Sequence, residues 1–409
     1  MTTDLRPLAP QQWDLYFDRL LRAFGGPGDA PEARELWRRL TETERSLAAW
    51  DGDELVGTSG AFSFRMTLPG GAAAAVAGVT MVSVQPTHRR RGVLTSMMRR
   101  LLDDARERGE SAAVLTASEP AIYGRFGYGV ATTQLYGAID TARVSFAAPP
   151  GADGVRFRLA PAAEVAEPCE AVYARLAAER PGMLVRQPGW QDVPLLDPPR
   201  NRGAAGELLC VLAESDGEVR GYARYAVAEG WAPAGPDHAV KLRDVEALDP
   251  VTYAALWRYL GSIDLTSRID FRNRPADDPM LHLASDVRRC EVGHRDGMHL
   301  RVVDVAAALS ARAYSAPVDV VLDVEDAFCP WNSGRWRLSG DTKGAQCERT
   351  TDPADLALAV RELGAAYLGG PSLRALAGAG LVSELRPGAL AEASRAFHGD
   401  IAPWLPHGF

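Results

Sequence analysis

The stretch VTMVSVQPTHRRRG, residues 79–92, restricts the fold of this chain more than any other part of the sequence. Residues 79–84 are mostly apolar and β-branched, which predicts a strand. A basic turn follows and leads directly into an amphipathic helix over residues 92–108. The first turn of such a helix presents unpaired backbone N–H groups and the positive end of the helix dipole. With three arginines beside it, this turn predicts a pyrophosphate-binding site.

The turn, and not the helix, carries the candidate function. The helix has one apolar stripe, as expected for a face that packs against a sheet. Arg89, Arg90 and Arg91 can each bind a phosphate oxygen, and Gly92 allows a close approach of the backbone. The alternative is a solvated basic turn that only caps the helix. The segment LTASEPAIYGRFGYG, residues 115–129, favours a site for an acyl-CoA over that alternative.

Length and composition predict several domains. A chain of 409 residues is too long for one ordinary hydrophobic core, so two or three domains are expected. The composition breaks at AAPPG, residues 147–151, and less sharply at GHRDG, residues 293–297. These breaks predict domains at residues 1–148, 149–293 and 294–409.

The first two predicted domains resemble a diverged repeat. Residues 47–57 and 209–222 each read as two strands joined by an Asp-Gly turn, a strong hairpin signal. A strand and a helix follow in both, at residues 242–247 and 251–263 in the second copy. The second strand-to-helix turn, Leu248-Asp249-Pro250, has no arginine and no glycine, and its aspartate would repel a phosphate. If the copies share a fold, only the first can bind the nucleotide; two unrelated α/β segments remain the alternative.

The third predicted domain is a small α+β unit with strands before helices. Residues 318–325 alternate between apolar and polar side chains, as in a half-buried strand. Further short strands are predicted at residues 334–338 and 345–349, and helices at residues 353–368 and 385–397.

Several function classes are disfavoured. A net charge of −8 argues against nucleic acid as the main partner. The five cysteines are far apart and odd in number, so neither a zinc site nor a disulfide framework is expected, and no metal-ligand spacing or Ser-His-Asp triad is present. No apolar run reaches the ~20 residues of a membrane helix, and residues 1–13 lack the apolar core of a secretory signal. We therefore expect no membrane span and a cytoplasmic location.

Three motifs together resemble a known family. HRRRG directly after a strand, LTASEPAIYGRFGYG, and the C-terminal APWLPHGF resemble the GCN5-related N-acetyltransferases, in particular the enhanced-intracellular-survival (Eis) branch of actinobacteria. The pyrophosphate loop of that family reads Gln/Arg-x-x-Gly-x-Gly/Ala, and Leu94 departs from its last position. The resemblance implies an α/β fold with tandem GNAT domains, the second degenerate, followed by a sterol-carrier-like α+β domain. It also implies acetyl-CoA as co-substrate, no metal, and a homo-hexamer.

The resemblance implies roles for individual residues. Val82 and Val84 would offer backbone groups to the pantetheine arm and thioester, and Arg89, Arg90 and Gly92 would hold the pyrophosphate. The other implied residues are Ser118 and Glu119 in the cofactor groove, Tyr123 as general acid, and the carboxylate of Phe409 as general base. Tyr128 is a rival for Tyr123, although we interpret it as a packed aromatic residue. The family's best-known branch often has histidine where this chain has Thr116.

The acceptor is expected to be a small molecule with primary amines. Aromatic and acidic residues near the N-terminus suit a polycationic amine, and Phe24 and Trp37 are the candidates for its pocket. The family implies aminoglycosides, often acetylated at several positions, by direct transfer. A protein-lysine or polyamine acetyltransferase on the same scaffold is one alternative. A non-enzymatic lipid- or acyl-CoA-binding protein is the other.

Overall fold

The computed structural model describes residues 3–26 and 28–409. These residues form two compact units, each assembled from separate segments of the chain. The first unit contains the chain up to Thr132, together with Arg180–Val185 and Asp296–Phe409. The second unit contains Thr133–Glu179 and Arg186–Arg295.

Within residues 3–26 and 28–140, the chain forms seven strands and three α-helices. The strands are β1 (Asp4–Pro7), β2 (Ser46–Asp51), β3 (Glu54–Thr67), β4 (Ala73–Val84), β5 (Ala112–Thr116), β6 (Gly129–Val130) and β7 (Thr133–Asp140). The helices are α1 (Trp13–Ala23), α2 (Pro31–Leu40) and α3 (Val93–Glu107).

The middle of the chain supplies eight strands and three helices. The strands are β8 (Arg156–Pro161), β9 (Leu209–Ser215), β10 (Glu218–Ala228), β11 (Trp231–Ala232), β12 (Gly235–Pro236), β13 (His238–Ala247), β14 (Thr266–Pro275) and β15 (Gly293–Asp296). The helices are α4 (Ala166–Ala177), α5 (Pro250–Gly261) and α6 (Met280–Leu283).

The C-terminal part supplies six strands and four helices. The strands are β16 (Met298–Val302), β17 (Val318–Glu325), β18 (Gly334–Asp341), β19 (Gly344–Arg349), β20 (Leu356–Ala359) and β21 (Val382–Glu384). The helices are α7 (Val305–Ala311), α8 (Val360–Ala366), α9 (Leu373–Gly378) and α10 (Ala389–Phe397). Among the described residues, none of the helices is both long and apolar enough to cross a membrane.

The first sheet has the order β1-β2-β3-β4-β5-β16-β6, and β4 and β5 are its parallel neighbours. The predicted hairpin at its Asp-Gly turn is present as β2 and β3. Side chains alternate between the two faces of β2, so Ala48 and Trp50 pack against α1 while Ala49 packs against α3. The sheet is therefore covered by α1 on one face and by α3 on the other.

The strands cross the boundaries that composition predicts. β16 lies between β5 and β6, with Met298 opposite Thr116, so the first sheet is completed by residues after the predicted boundary at 293. β7, which the boundary at 148 places in the first domain, pairs with β14 in the second sheet. That sheet has the order β15-β7-β14-β13-β10-β9-β8 and contains the second predicted hairpin as β9 and β10. Local composition does not show which strands pair, because the pairing partners are distant in the sequence.

The third sheet corrects one helix prediction. Its order is β19-β18-β17-β20-β21. The helix predicted at residues 353–368 is wrong over its first part, where β20 pairs in parallel with β17 and only α8 is helical. Leu356 and Leu358 are buried and alternate with half-buried alanines, a period of two that fits a strand. The helix predicted at residues 385–397 begins only at Ala389.

The C-terminal tail, residues 401–409, packs against other residues of the first unit. Trp404 and Leu405 are buried. The Trp404 N–H donates to the Pro181 carbonyl at 2.9 Å, and Arg180 donates to the Ala402 carbonyl at 2.7 Å. The tail is docked, as its apolar and proline-rich composition predicts.

Candidate active site

The central feature of the first unit is a gap between β4 and β5. The two strands pair in parallel only from Val76 opposite Ala112 to Gly78 opposite Val114. β4 then continues to Val84, whereas β5 ends at Thr116. The edge of β4 that follows Gly78 therefore faces an opening instead of a neighbouring strand.

A β-bulge in β4 accompanies this gap. Thr58 lies opposite Ser83 and Gly60 opposite Thr80, so that Met81 and Val82 together face one residue of β3. Met81 has φ +52°, a left-handed conformation that is uncommon for a residue with a side chain. A bulge bends its strand and re-aims the groups around it. The bulge lies in the segment with the half-buried Val82 and Val84, both predicted to face the cofactor.

The predicted anion turn lies between β4 and α3. Gly92 has φ +84°, and a Cβ atom built on it would meet nothing within 4 Å. In the described part of the chain, no side chain caps the N-terminus of α3. Arg89, Arg90 and Arg91 are exposed, and within residues 3–26 and 28–409 none of them forms an ion pair. The turn therefore combines free helix N–H groups with unneutralised positive charge, which is what a diphosphate requires.

His88 anchors this turn. Its side chain is buried, with Nε2 3.1 Å from an Asp51 carboxylate oxygen and Nδ1 2.9 Å from the Thr87 hydroxyl. The histidine thus holds the start of the basic turn against β2 and leaves the arginines exposed.

A 3₁₀ turn over Pro120–Phe126 follows β5 and carries Tyr123. Ser118 and Glu119, directly before it, are exposed, and Tyr123 is half-buried. Burial, reinforced by the negative charge of Glu119, raises the pKa of Tyr123 to about 12. The phenol is therefore protonated throughout the neutral pH range and available as a proton donor.

Tyr128 packs edge-on against Tyr123, with ring centroids 5.8 Å apart. It is fully buried, burial raises its pKa, and within the described part of the chain its hydroxyl has no hydrogen-bond partner. These features favour our interpretation of Tyr128 as a packed aromatic residue.

The C-terminal residue lies where β4 and β5 separate. The Phe409 ring is edge-on to Phe64, with centroids 5.0 Å apart. A Cβ atom on Gly78 would clash with the Phe64 ring and would lie 3.2 Å from the Phe409 ring, so the glycine is required for this close approach. A Cβ atom on Gly408 would lie 3.8 Å from the Thr116 hydroxyl oxygen at the end of β5. The tail thus ends beside both strands of the gap.

An aromatic row connects Phe409 to α2. The ring centroids are 5.0 Å apart for Phe409 and Phe64, 5.6 Å for Phe64 and Phe62, and 6.5 Å for Phe62 and Trp37. The row contains the predicted pocket residue Trp37. Phe24 is 57% exposed after α1, and among the described residues no ring contact joins it to the row. Sequence reasoning missed Phe62 and Phe64, although their alternation in AFSFR marks them as neighbours on one face of a strand.

Comparison with known proteins identifies the family. Models of an acetyltransferase (GNAT) domain match residues 4–131 and 182–302, and a sterol carrier protein domain matches residues 305–406. An uncharacterized N-acetyltransferase of Streptomyces avermitilis is 62% identical over 409 residues, 100% of both chains. N-acetyltransferase Eis of Mycobacterium tuberculosis is 34% identical over 385 residues, 91% of each chain. The crystal structure of Eis1 from Mycobacterium abscessus matches with a TM-score of 0.84 and 33% identity over 100% of both chains.

The chain belongs to the Eis family of GCN5-related N-acetyltransferases. It is therefore an acetyltransferase, built from tandem GNAT domains followed by a sterol-carrier-like domain. GNAT enzymes use acetyl-CoA, which agrees with the acyl-CoA that the basic turn and its surroundings predict. The non-enzymatic alternative is set aside.

In this Eis-family chain the second GNAT domain lacks the open anion turn of the first. Asp249 caps α5 and accepts a hydrogen bond from the Thr252 N–H at 2.8 Å. Arg220 donates to the same carboxylate at 2.9 Å. A carboxylate therefore already occupies the positive end of this helix. Asp249 thus accounts for one difference between the two copies: the helix N-terminus that is open in the first is capped in the second.

A buried arginine joins the two strands of the second GNAT domain beyond the point where their pairing ends. β13 and β14 pair in parallel only as far as Lys241 opposite Asp270, and β13 continues to Ala247. Arg274 of β14 forms buried ion pairs with Glu246 of β13 at 2.9 Å and with Asp278 at 2.7 Å. Breaking such buried pairs to admit a ligand would be costly.

Proposed function

We propose that this chain acetylates primary amines of polycationic, aminoglycoside-like small molecules, at more than one position, by direct transfer from acetyl-CoA bound to the first GNAT domain. The observation that carries this proposal is the position of Phe409. The chain's terminal residue lies at the point where β4 and β5 separate, beside an aromatic row.

The cofactor residues of the proposal lie along the open edge of β4. Arg89, Arg90 and Gly92 bind the diphosphate, supported by the uncapped N-terminus of α3 and the unpaired arginines. The backbone at Val82 and Val84 faces the pantetheine arm, because this part of β4 is not paired with β5. Ser118 and Glu119 follow the end of β5 and line the opposite side of the groove.

Three groups of the chain carry the proton and charge movements. The Phe409 carboxylate accepts the proton of the attacking amine, which arrives largely as ammonium. The Val82 N–H donates a hydrogen bond to the thioester oxygen as negative charge develops there. The Tyr123 hydroxyl donates its proton to the departing sulfur; its raised pKa keeps that proton in place until the sulfur becomes basic. Acetyl-CoA supplies the activated acetyl group.

The acceptor preference follows from aromatic surface and acidic charge. At the two ends of the row the Phe409 and Trp37 rings are partly exposed, whereas Phe62 and Phe64 between them are buried, and Phe24 contributes an exposed ring after α1. Aromatic walls attract ammonium groups through cation–π interactions. The net charge of −8 favours the approach of a polycation over that of an anion.

An amine panel tests the proposal. Free thiol release from acetyl-CoA is measured with aminoglycosides, polyamines and lysine peptides in parallel, and kcat/KM values are compared. Mass spectrometry counts the acetyl groups on each product. We expect the highest kcat/KM for an aminoglycoside, with more than one acetyl group transferred. A higher kcat/KM for a lysine peptide or a linear polyamine would overturn the substrate assignment and support the alternative acetyltransferase.

The proposal includes a cytoplasmic homo-hexamer without a metal requirement. The hexamer is taken from the family resemblance. Sedimentation velocity measures the assembly, and EDTA is expected to leave the rate unchanged. A monomeric active enzyme would remove the hexamer from the proposal but leave the chemistry intact.

A further inference from the structure

Two hydroxyl side chains hold the bulge of β4. Thr58 on β3 and Ser83 on β4 are directly opposite each other, with their oxygens 2.7 Å apart. The Thr58 hydroxyl also donates to the Met81 carbonyl at 2.7 Å. Because a hydroxyl has a single proton, Thr58 must accept the hydrogen bond of Ser83. Both side chains are buried, so no water competes strongly for these bonds.

The bond to Met81 fixes the direction of the next N–H group. The Met81–Val82 peptide is trans, like every peptide bond among the described residues. In a planar trans peptide the C=O and the following N–H point in opposite directions. With the Met81 carbonyl held towards Thr58 on β3, the Val82 N–H points away from β3. The gap between β4 and β5 opens on that other side of β4.

The conformation of Met81 needs this support. A left-handed backbone is unfavourable for a residue with a side chain. The hydrogen bond from Thr58 to the Met81 carbonyl, with Ser83 donating to Thr58, stabilises this conformation. Without these hydrogen bonds, the peptide is free to rotate back towards regular pairing with β3.

The second GNAT domain provides an internal comparison. Gly57 lies opposite Val84 and Gly221 opposite Ala247, so the pairs can be matched by register. The pair after the glycine is Thr58 with Ser83 in the first domain but Tyr222 with Glu246 in the second. Within the described residues, no residue of β13 has a left-handed backbone. The hydroxyl pair and the left-handed residue therefore occur together, in the domain that has the open anion turn.

We propose that Thr58, assisted by Ser83, is a positioning residue that aims the Val82 N–H at the thioester oxygen. The inference rests on the proposed function, and it concerns a residue that does not touch the substrate. Its effect is to orient a hydrogen-bond donor before the reaction begins, which is where such donors gain their catalytic value.

Thr58→Val tests this proposal because it keeps the shape of the side chain and removes the hydroxyl. We expect kcat to fall by roughly 10- to 100-fold, since losing a whole oxyanion donor costs about 10²–10³-fold. The KM for acetyl-CoA should change by less than about twofold, because Thr58 is not among the residues proposed to bind the diphosphate. Thr58→Ser, which retains the hydroxyl, should restore most of kcat. Ser83→Ala should have a smaller effect in the same direction.

Thr266→Val is the matched control. The Thr266 hydroxyl donates to the Ile263 carbonyl at 2.7 Å, the same bond length and chemistry, in the second unit. It should lose comparable stability and retain kcat. An equal fall of kcat in both variants would show a general effect of lost stability and overturn the proposal.

A binding measurement separates this proposal from the proposed function. The thioether analogue S-ethyl-CoA has a methylene in place of the thioester carbonyl. In the wild type, acetyl-CoA should bind more tightly than this analogue, and Thr58→Val should bring the two Kd values together. If the ratio of the Kd of S-ethyl-CoA to the Kd of acetyl-CoA is the same in Ser83→Ala, Thr58→Val and the wild type, the positioning role is wrong. If instead the wild type releases no thiol with any amine, the proposed function fails. The ratio of the two Kd values still tests whether the Val82 N–H binds the thioester oxygen.

Discussion

The ring of the terminal residue Phe409 packs edge-on against Phe64, with ring centroids 5.0 Å apart and an interplanar angle of 73°. This contact holds the end of the chain over Gly78, the last residue of β4 that is paired with β5. The contact therefore places Phe409 beside the opening between β4 and β5.

Extending the chain beyond Phe409 should inactivate it. A Gly-Ser extension removes the α-carboxylate from its position, and loss of a general base costs about 10²–10⁴-fold in rate. We expect kcat to fall at least ~100-fold while the Kd of coenzyme A changes little. Steady-state kinetics and calorimetric titration measure the two quantities. The same dipeptide added at the N-terminus is the control, and full kcat in the C-terminally extended enzyme would rule out the base.

Tyr123→Phe should lower kcat by roughly 10²-fold or more without changing the KM for acetyl-CoA. In the proposed function the Tyr123 hydroxyl, whose pKa burial raises to about 12, donates a proton to the leaving sulfur. Tyr128→Phe is the matched control, because it removes a buried hydroxyl that lacks a partner among the described residues. That variant should keep kcat and be at least as stable as the wild type. If kcat fell in Tyr128→Phe and not in Tyr123→Phe, Tyr128 would be the general acid.

The basic turn should control cofactor affinity and not turnover. Arg89→Gln removes one charge-assisted contact at an exposed site, worth about 1 kcal/mol, so the Kd of coenzyme A should rise roughly fivefold. Gly92→Ala should weaken binding further because alanine disfavours φ +84°. Arg100→Gln, on the exposed face of α3, is the control and should bind normally. Unchanged affinity in Arg89→Gln would leave the turn with the simpler role of capping the helix.

Asp249→Ala should destabilise the second unit and leave catalysis unchanged. Partial burial opposes ionisation of Asp249, but the Thr252 N–H and the Arg220 guanidinium outweigh it and lower the pKa of the carboxyl. Loss of a helix cap costs about 1 kcal/mol. Because the folded-state pKa is lowered, this contribution is present above the ordinary value of 3.8 and disappears as pH falls below it. Urea unfolding at pH 7 and pH 3 measures the difference in the free energy of unfolding between the wild type and Asp249→Ala. A reduced kcat in the variant would contradict the prediction that the second GNAT domain is non-catalytic.

Local patterns were sufficient for the elements that build the site. The β-branched run at residues 79–84, the Asp-Gly turns and the apolar stripe of α3 predict β4, the two hairpins and the helix, because each depends on neighbouring residues. The helix predicted at residues 353–368 is wrong over β20. The alanine-rich composition suggested a helix, whereas the leucines of β20 alternate with alanines at the period of a strand.

Contacts between residues that are distant in the sequence could not be predicted from local patterns. The insertion of β16 beside β5 pairs Met298 with Thr116, and nothing in either segment specifies the other. The bond from Thr58 to the Met81 carbonyl depends on a bulge whose register only the folded sheet defines. The position of Phe409 came from family resemblance, since periodicity does not locate a chain end. The catalytic and binding roles of the site residues stay predictions.

A crystal structure with bound coenzyme A would locate the cofactor. We expect the diphosphate against the first turn of α3, within hydrogen-bond distance of Gly92 and contacted by Arg89 or Arg90, with the thiol end between β4 and β5 near Val82. Coenzyme A bound at α5 in the second unit, or a cofactor-saturated crystal in which the gap between β4 and β5 is empty, would contradict this expectation.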